Sequence, residues 1–257
     1  MQTDSNWLPA DWSAPPGIFA GTTTRFGGVS IDPDLASNNM GLQVGDEAAL
    51  VAGNRERLRE LVVKQQSQSS IQLQWIDQVH GSDCVYVDSA SAVPPRADAL
   101  WTDRECIALA IQTADCVPVL LADDQGEIIA AAHGGWRGLL DQVLTQLVQA
   151  LPTSPANLCA WIGPCIGPAY FEVGAEVWRR VIAVYPEAVT YHPNDETKRF
   201  VDLPLLAKRQ LQASGVRMIN GGEHCTYAGH QFYSYRQAIH DRGARAQTGR
   251  MATVICL

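Results

Sequence analysis

A set of short apolar runs, each ended by a turn or a polar break, most constrains what this chain can fold into. "IQLQWIDQV", "DCVYVD", "CIALAIQ", "PVLLAD", "EIIAAAH", "LCAWIG" and "MATVICL" have strand length and strand composition. Four other stretches carry helical spacing: "DEAALVAGNRERLRELV", "LLDQVLTQLVQAL", "GAEVWRRVIAVY" and "LPLLAKRQLQAS". The first has acidic residues in its opening turn, the second ends before Pro152, and the last is closed by Gly215. Strands outnumber helices and cluster instead of alternating with them. That favours an α+β fold, mixed β-sheets layered with flanking helices, over a doubly wound sheet. No GxGxxG and no GxxxxGKS or GxxxxGKT occurs, so the usual phosphate loops are absent.

The 257 residues are 46% hydrophobic and 18% charged, which fits a folded globular chain. "KQQSQSS", "SASAVPPRAD" and "LPTSPAN" are connections too short to be domain linkers, so a single domain spanning residues 1–257 is expected. The net charge is −8 and no run of Lys or Arg is present, which argues against a nucleic-acid partner. No window of about 18 uninterrupted apolar residues predicts a membrane helix. The N-terminal "MQTDSNWLPADWSAPPGIFAG" lacks the charged and apolar regions of a secretory leader. The seven cysteines (84, 106, 116, 159, 165, 225 and 256) are odd in number and form no CxxC, so reduced thiols and a cytoplasmic setting are expected. Oligomeric state is not legible at this level.

Three apolar runs stop at a soft or borderline metal ligand beside a turn residue: His80, Cys116 and His133. Imidazole and thiolate together suit zinc (Zn2+) and also copper (Cu2+), and three protein ligands leave one position open, the catalytic pattern. The alternative is bland. A strand-end histidine is commonly a hydrogen-bonded structural group, and a cysteine in an apolar run is commonly a core filler. Gly134 and Gly135 favour the ligand reading, because bare backbone permits close approach.

The motifs "GTTTRFGGVS", "NNMGLQVGD", "NRERL", "QVHGSDC", "ADALWTD", "TADCVPVLL", "AAHGGWRGL", "IGPCIGPAYFEVG", "CTY", "FYSYR" and "TGRMA" occur in that order. This wording resembles the YfiH family, also called the laccase-domain or polyphenol-oxidase family and linked to the peptidoglycan editing factor. The resemblance covers residues 17–257. It implies one zinc bound by His80, Cys116 and His133, a cytosolic α+β fold, and action on purine nucleosides. The reactions implied are phosphorolysis of adenosine, inosine, guanosine and methylthioadenosine, and deamination of adenosine. The chain departs from the family wording at "HGGWRG" (HAGWRG in the family), at "ASNNMG", and at Gln237 after "SYR".

Each chemistry makes its own demands. A multicopper laccase needs many histidines, often as His-x-His. Here there are six and no such pair, so the copper-dependent polyphenol oxidase reading is a lesser alternative. Phosphorolysis needs a phosphate-binding group; Arg25, Arg137 and Arg236 are candidates, Arg25 foremost, against a simple surface ion pair. Deamination needs a proton shuttle. The H-x-E and P-C-x-x-C pattern of cytidine-type deaminases is missing, and Asp115 is the candidate, with a ligand-orienting role as its alternative. Cys165 and Glu172 read as turn and helix-start residues. A cysteine hydrolase using Cys116 and His133 on a peptidoglycan precursor is a further class, exclusive with zinc on the same thiolate. A non-enzymatic module that binds a nucleotide-like ligand is the third.

Overall fold

The computed structural model describes residues 6–257. The first five residues of the stretch read above as lacking a leader lie outside the described residues. In chain order the elements are β1 (Trp7–Pro9), β2 (Phe19–Thr23), α1 (Ala48–Gln66), β3 (Gln72–Trp75), β4 (Cys84–Tyr86), β5 (Ala99–Thr102), β6 (Ile107–Thr113), β7 (Val117–Asp123), β8 (Ile129–Gly134), α2 (Trp136–Leu140) and α3 (Val143–Ala150). They continue with β9 (Leu158–Ile162), β10 (Glu172–Val173), α4 (Ala175–Ile182), β11 (Val189–Tyr191), β12 (Arg199–Val201), α5 (Leu203–Ala213), β13 (Met218–Gly221), α6 (Tyr235–Arg242) and β14 (Met251–Cys256).

Five strands form one mixed sheet in the order β1-β2-β14-β6-β3, parallel only between β6 and β3. Six form a second, β13-β9-β7-β8-β5-β4, parallel only at its two edges. Strands β10, β12 and β11 make a small antiparallel third. The expected α+β architecture of mixed sheets and flanking helices is present.

The two large sheets face each other. Leu109 and Ile111 of β6 meet Leu120, Ile129 and Trp161 across the gap. The alternate residues, Ala108 and Ala110, turn outward onto Leu58 and Val62 of α1. In the second sheet Val119, Leu121, Ala130 and Ala132 point away from the gap toward Leu144, Leu147, Leu206 and Leu211 of α3 and α5. Sheets covered on both faces need apolar residues on both faces, which is why these strands read as unbroken apolar runs. Each fully buried Leu or Ile contributes about 1.5–3 kcal/mol. No described helix is long and apolar enough to cross a membrane.

Several boundaries differ from the sequence pattern for visible reasons. The helix expected over "LLDQVLTQLVQAL" is two helices. Gln142 takes a left-handed conformation (φ 65°) between them, so that α3 turns Val143, Leu144, Leu147 and Val148 into the core. The acids expected in the first turn of α1 precede it: Asp46 accepts from the Ser30 hydroxyl and the Asn39 amide instead. The run expected as a strand to Val79 leaves the sheet after Trp75. There Asp77 N–H donates to the Pro95 carbonyl, and the Gln78 amide pairs with both backbone groups of Gln112.

Candidate functional site

His80, Cys116 and His133 come together at one rim of the sheet sandwich. One ligand atom from each lies within 4.8 Å of the others. Only His133 sits inside a strand, in β8 opposite Pro118. Cys116 immediately precedes β7. His80 lies in the loop beyond β3 on left-handed backbone (φ 61°), held there by Gln78 two residues earlier. The histidine rings meet edge to face, 4.8 Å between centroids. His133 is buried, Cys116 half-buried and His80 exposed, so the cluster opens to solvent on the His80 side.

One carboxylate organises two of the three. Asp98, fully buried before β5, accepts N–H groups from Val79 (3.2 Å), His80 (3.0 Å) and Gly81 (2.6 Å). The same carboxylate meets His133 Nδ1 at 2.8 Å, which fixes the ring and leaves Nε2 as its donor atom. The backbone N–H of His133 also donates to the Asp98 carbonyl (2.7 Å). This web stabilises the positive φ of His80 and aims the His133 imidazole.

The glycines of HGGWRG have steric reasons. A Cβ on Gly135 would stand 2.9 Å from His80 Cδ2, 3.5 Å from His133 Cε1 and 3.6 Å from Cys116 Sγ. Bare backbone is therefore one wall of the cluster. A Cβ on Gly134 would press on the Val117 carbonyl at 2.9 Å, and one on Gly138 on the Gly81 carbonyl at 2.6 Å. Helix α2 can start against the site only because all three lack side chains.

The electrostatics follow from that packing. Burial favours a neutral Cys116 thiol, but His133 and His80 outweigh it and hold the thiol below its usual range. Burial likewise opposes charge on His133, and the Cys116 thiolate and Asp98 outweigh it, raising the imidazole. Asp98 stays below the ordinary carboxylate range because its donors overcome burial. The two histidines thus favour a thiolate at Cys116, and the Asp98 carboxylate stands behind His133.

The remaining residues singled out in the sequence are placed as follows. Asp115 (φ 99°) precedes Cys116; its Oδ1 accepts from Thr226 Oγ1 (2.6 Å) and its Oδ2 from Arg236 N (2.7 Å). Burial raises its carboxyl against those bonds. Arg236 spends its guanidinium on the Glu172 and Tyr170 carbonyls (2.6 and 3.3 Å), with Phe171 beneath it. Arg25 lies over the Tyr233 ring, 5.1 Å from its centroid, and reaches the Ala36 carbonyl at 3.4 Å. Arg137 is exposed and stacks on Trp136. Cys165 is buried, its thiol pushed well up by burial, and its backbone pairs with the 224–226 segment. Glu172 binds Lys198 and His192, away from the ligand atoms. Sequence reasoning passed over Asp98, Gln78 and Arg250, although all three lie within quoted motifs. An isolated acid at the head of "ADALWTD" was the available signal for Asp98.

A fold of two facing mixed sheets with a His-Cys-His cluster at the rim defines a class. A family model described as multi-copper polyphenol oxidoreductase laccase matches residues 19–257. The chain belongs to this family, the laccase-domain or YfiH family. A Pseudomonas aeruginosa protein named purine nucleoside phosphorylase is 41% identical over 254 residues, covering 98% of each chain. Escherichia coli purine nucleoside phosphorylase YfiH is 38% identical, covering 98% of this chain and 99% of that one. Among solved structures, a Neisseria meningitidis protein superposes with TM-score 0.87 at 37% identity, covering 98% of this chain and 99% of its own. YlmD from Geobacillus stearothermophilus superposes with TM-score 0.86 at 31% identity, covering 100% and 97%.

Proposed function

We propose that this chain is a purine nucleoside phosphorylase that holds one zinc ion through His80, Cys116 and His133. The observation that carries the reading is the convergence of two imidazoles and one thiol. The donor set fits the ion: N and S ligands suit zinc, and three of them leave a position for water or substrate. Asp98 behind His133 is the partner a ligand histidine requires. Gly135 leaves the space that a side chain would fill. The same donors accept copper, but a multicopper oxidase needs further sites, and this is the one such group among the described residues. The naming of the relatives supports the reaction class.

Phosphorolysis breaks the bond between ribose C1′ and purine N9. The electron pair leaves with the base, a phosphate oxygen bonds to C1′, and a proton ends on the base. When bound, the ion supplies a Lewis acid for an electron-rich substrate atom. Asp98 fixes His133 and the His80 backbone, and Gly135 leaves room for Cys116 beside them, so little reorganisation is needed. Arg137 and Arg25 add positive charge that favours approach of the anionic co-substrate. Both oxygens of Asp115 are engaged, so we assign it to positioning the Cys116 turn rather than to carrying a proton. Adenosine, inosine, guanosine and methylthioadenosine are the proposed substrates, with adenosine deamination as a second reaction. The seven free thiols support a cytoplasmic setting.

A second reading has its own observation. Asp98, His133 and Cys116 line up as orienter, base and nucleophile, the arrangement of a cysteine hydrolase acting on a peptidoglycan precursor. Metal content and product mass separate the two. Zinc at one per chain, with ribose 1-phosphate and free base formed from inosine and phosphate, is expected; inosine formed from adenosine marks deamination. A metal-free protein that turns over neither nucleoside overturns the phosphorylase reading.

A further inference from the structure

Among the described residues Arg250 has no counter-ion, and it stands near the turn that carries Cys116. Met251 is in register with Thr113, so Arg250 stands next to the start of the Ala114-Asp115-Cys116 turn. Its backbone is fixed from both sides: its N–H donates to Asn39 Oδ1 (2.9 Å), and its carbonyl accepts from Met40 N (3.0 Å). Its stem lies on Gly41, where a Cβ would come within 2.8 Å of Arg250 Cγ. Nη1 donates to the carbonyls of Thr248 (2.9 Å) and Gly249 (3.1 Å). Among the described residues no carboxylate lies within 4.0 Å of it, and Nε and Nη2 have no acceptor.

An arginine keeps its charge in a protein, and Arg250 is half-buried, so its cation is partly withdrawn from water without an anion beside it. Burial pulls the Arg250 guanidinium below its usual range, and the charges of Cys116, Asp115 and Tyr235 push it back. Of the other arginines near these motifs, Arg25 lies over the Tyr233 ring and reaches the Ala36 carbonyl at 3.4 Å. Arg55 stacks on Trp75 and gives two N–H groups to the Met40 carbonyl. Arg236 is spent on Tyr170 and Glu172, and Arg137 is in solvent.

We propose that Arg250 is the phosphate-binding residue of this site, its Nε and Nη2 gripping two oxygens of inorganic phosphate beside Cys116. The assignment rests on the phosphorolytic reading and deepens it. The fork of Nε and Nη2 matches two oxygens of one oxyanion, which a lysine ammonium does not.

The test uses zinc-loaded wild-type protein, R250Q and R250K. Inorganic phosphate is titrated by calorimetry, and KM for phosphate and for inosine are measured separately. In R250Q the phosphate Kd and KM rise at least about tenfold while the inosine KM stays within about twofold. R250K, which keeps the charge but loses the fork, falls between. Zinc content and melting temperature identify folded variants; if R250Q does not fold, the selective rise in phosphate KM is read on R250K. Unchanged phosphate affinity in a folded variant, or equal rises in both KM values, overturns the assignment. Phosphate binding that depends on Arg250 in a wild-type protein that makes no ribose 1-phosphate overturns the phosphorolytic reading instead and leaves Arg250 as an oxyanion site.

Discussion

Two carboxylates stand beside the cluster, Asp98 fully buried and Asp115 half-buried, and their surroundings give them opposite tasks. On the β5 side, Asp98 takes its donors from the ligand residues themselves: the backbone of His80 with its two neighbours, and the His133 ring. Those donors hold it charged against burial. On the α6 side, Asp115 takes its donors from Thr226 and Arg236, more than a hundred positions along the chain, and burial raises it. A carboxylate bonded to the cluster residues tunes and aims them; one bonded to a remote hydroxyl and a remote backbone N–H ties distant segments together. The residue type is the same, and the identity of the donors decides the role.

That contrast can be broken at several strengths. Cys116→Ala or His133→Ala removes a donor atom outright. Zinc should drop from one per chain to under about a tenth, with turnover lost, while the circular dichroism spectrum stays native. Full zinc stoichiometry by elemental analysis in either variant defeats the site. Asp98→Asn comes next. Losing the carboxylate behind His133 should weaken zinc about 10- to 100-fold in a chelator competition. Gly135→Ala ranks third: its backbone (φ −68°) accepts a side chain, but the new Cβ meets His80 at 2.9 Å. Zinc affinity should fall about severalfold with little change in melting temperature. Thr226→Val is the mildest at the ion. It removes one donor to Asp115 and should cost about 1–3 kcal/mol in urea unfolding, with zinc affinity within about twofold of wild type. A Thr226→Val loss of zinc as large as that of Asp98→Asn would erase the distinction between the two sides.

The parts of this arrangement that local chemistry encodes were legible. Runs such as "CIALAIQ" and "PVLLAD" are strands because both faces of each sheet are covered. His80, Cys116 and His133 stood out because each interrupts an apolar run, and they meet in the fold. The break at Gln142 was not legible, since a left-handed glutamine carries no turn signal and is imposed by packing of α3. Strands β10, β11 and β12 were missed because they are two or three residues long. Asp98 and Arg250 matter through partners far along the chain, 35 residues to His133 in one case and 211 to Asn39 in the other. Spacing within a motif cannot announce such contacts.

Strand β14 lies between β2 and β6, and it joins segments separated by most of the chain's length. High mean sequence separation of contacts makes a topology slow to form, because loop-closure entropy must be overcome before pairing rewards it. The arginine at the head of that strand therefore reaches the rim only when the central pairing closes. A partly folded chain presents scattered imidazoles and thiols with no shared geometry, so the three side chains and Arg250 share one rim only once that pairing has formed.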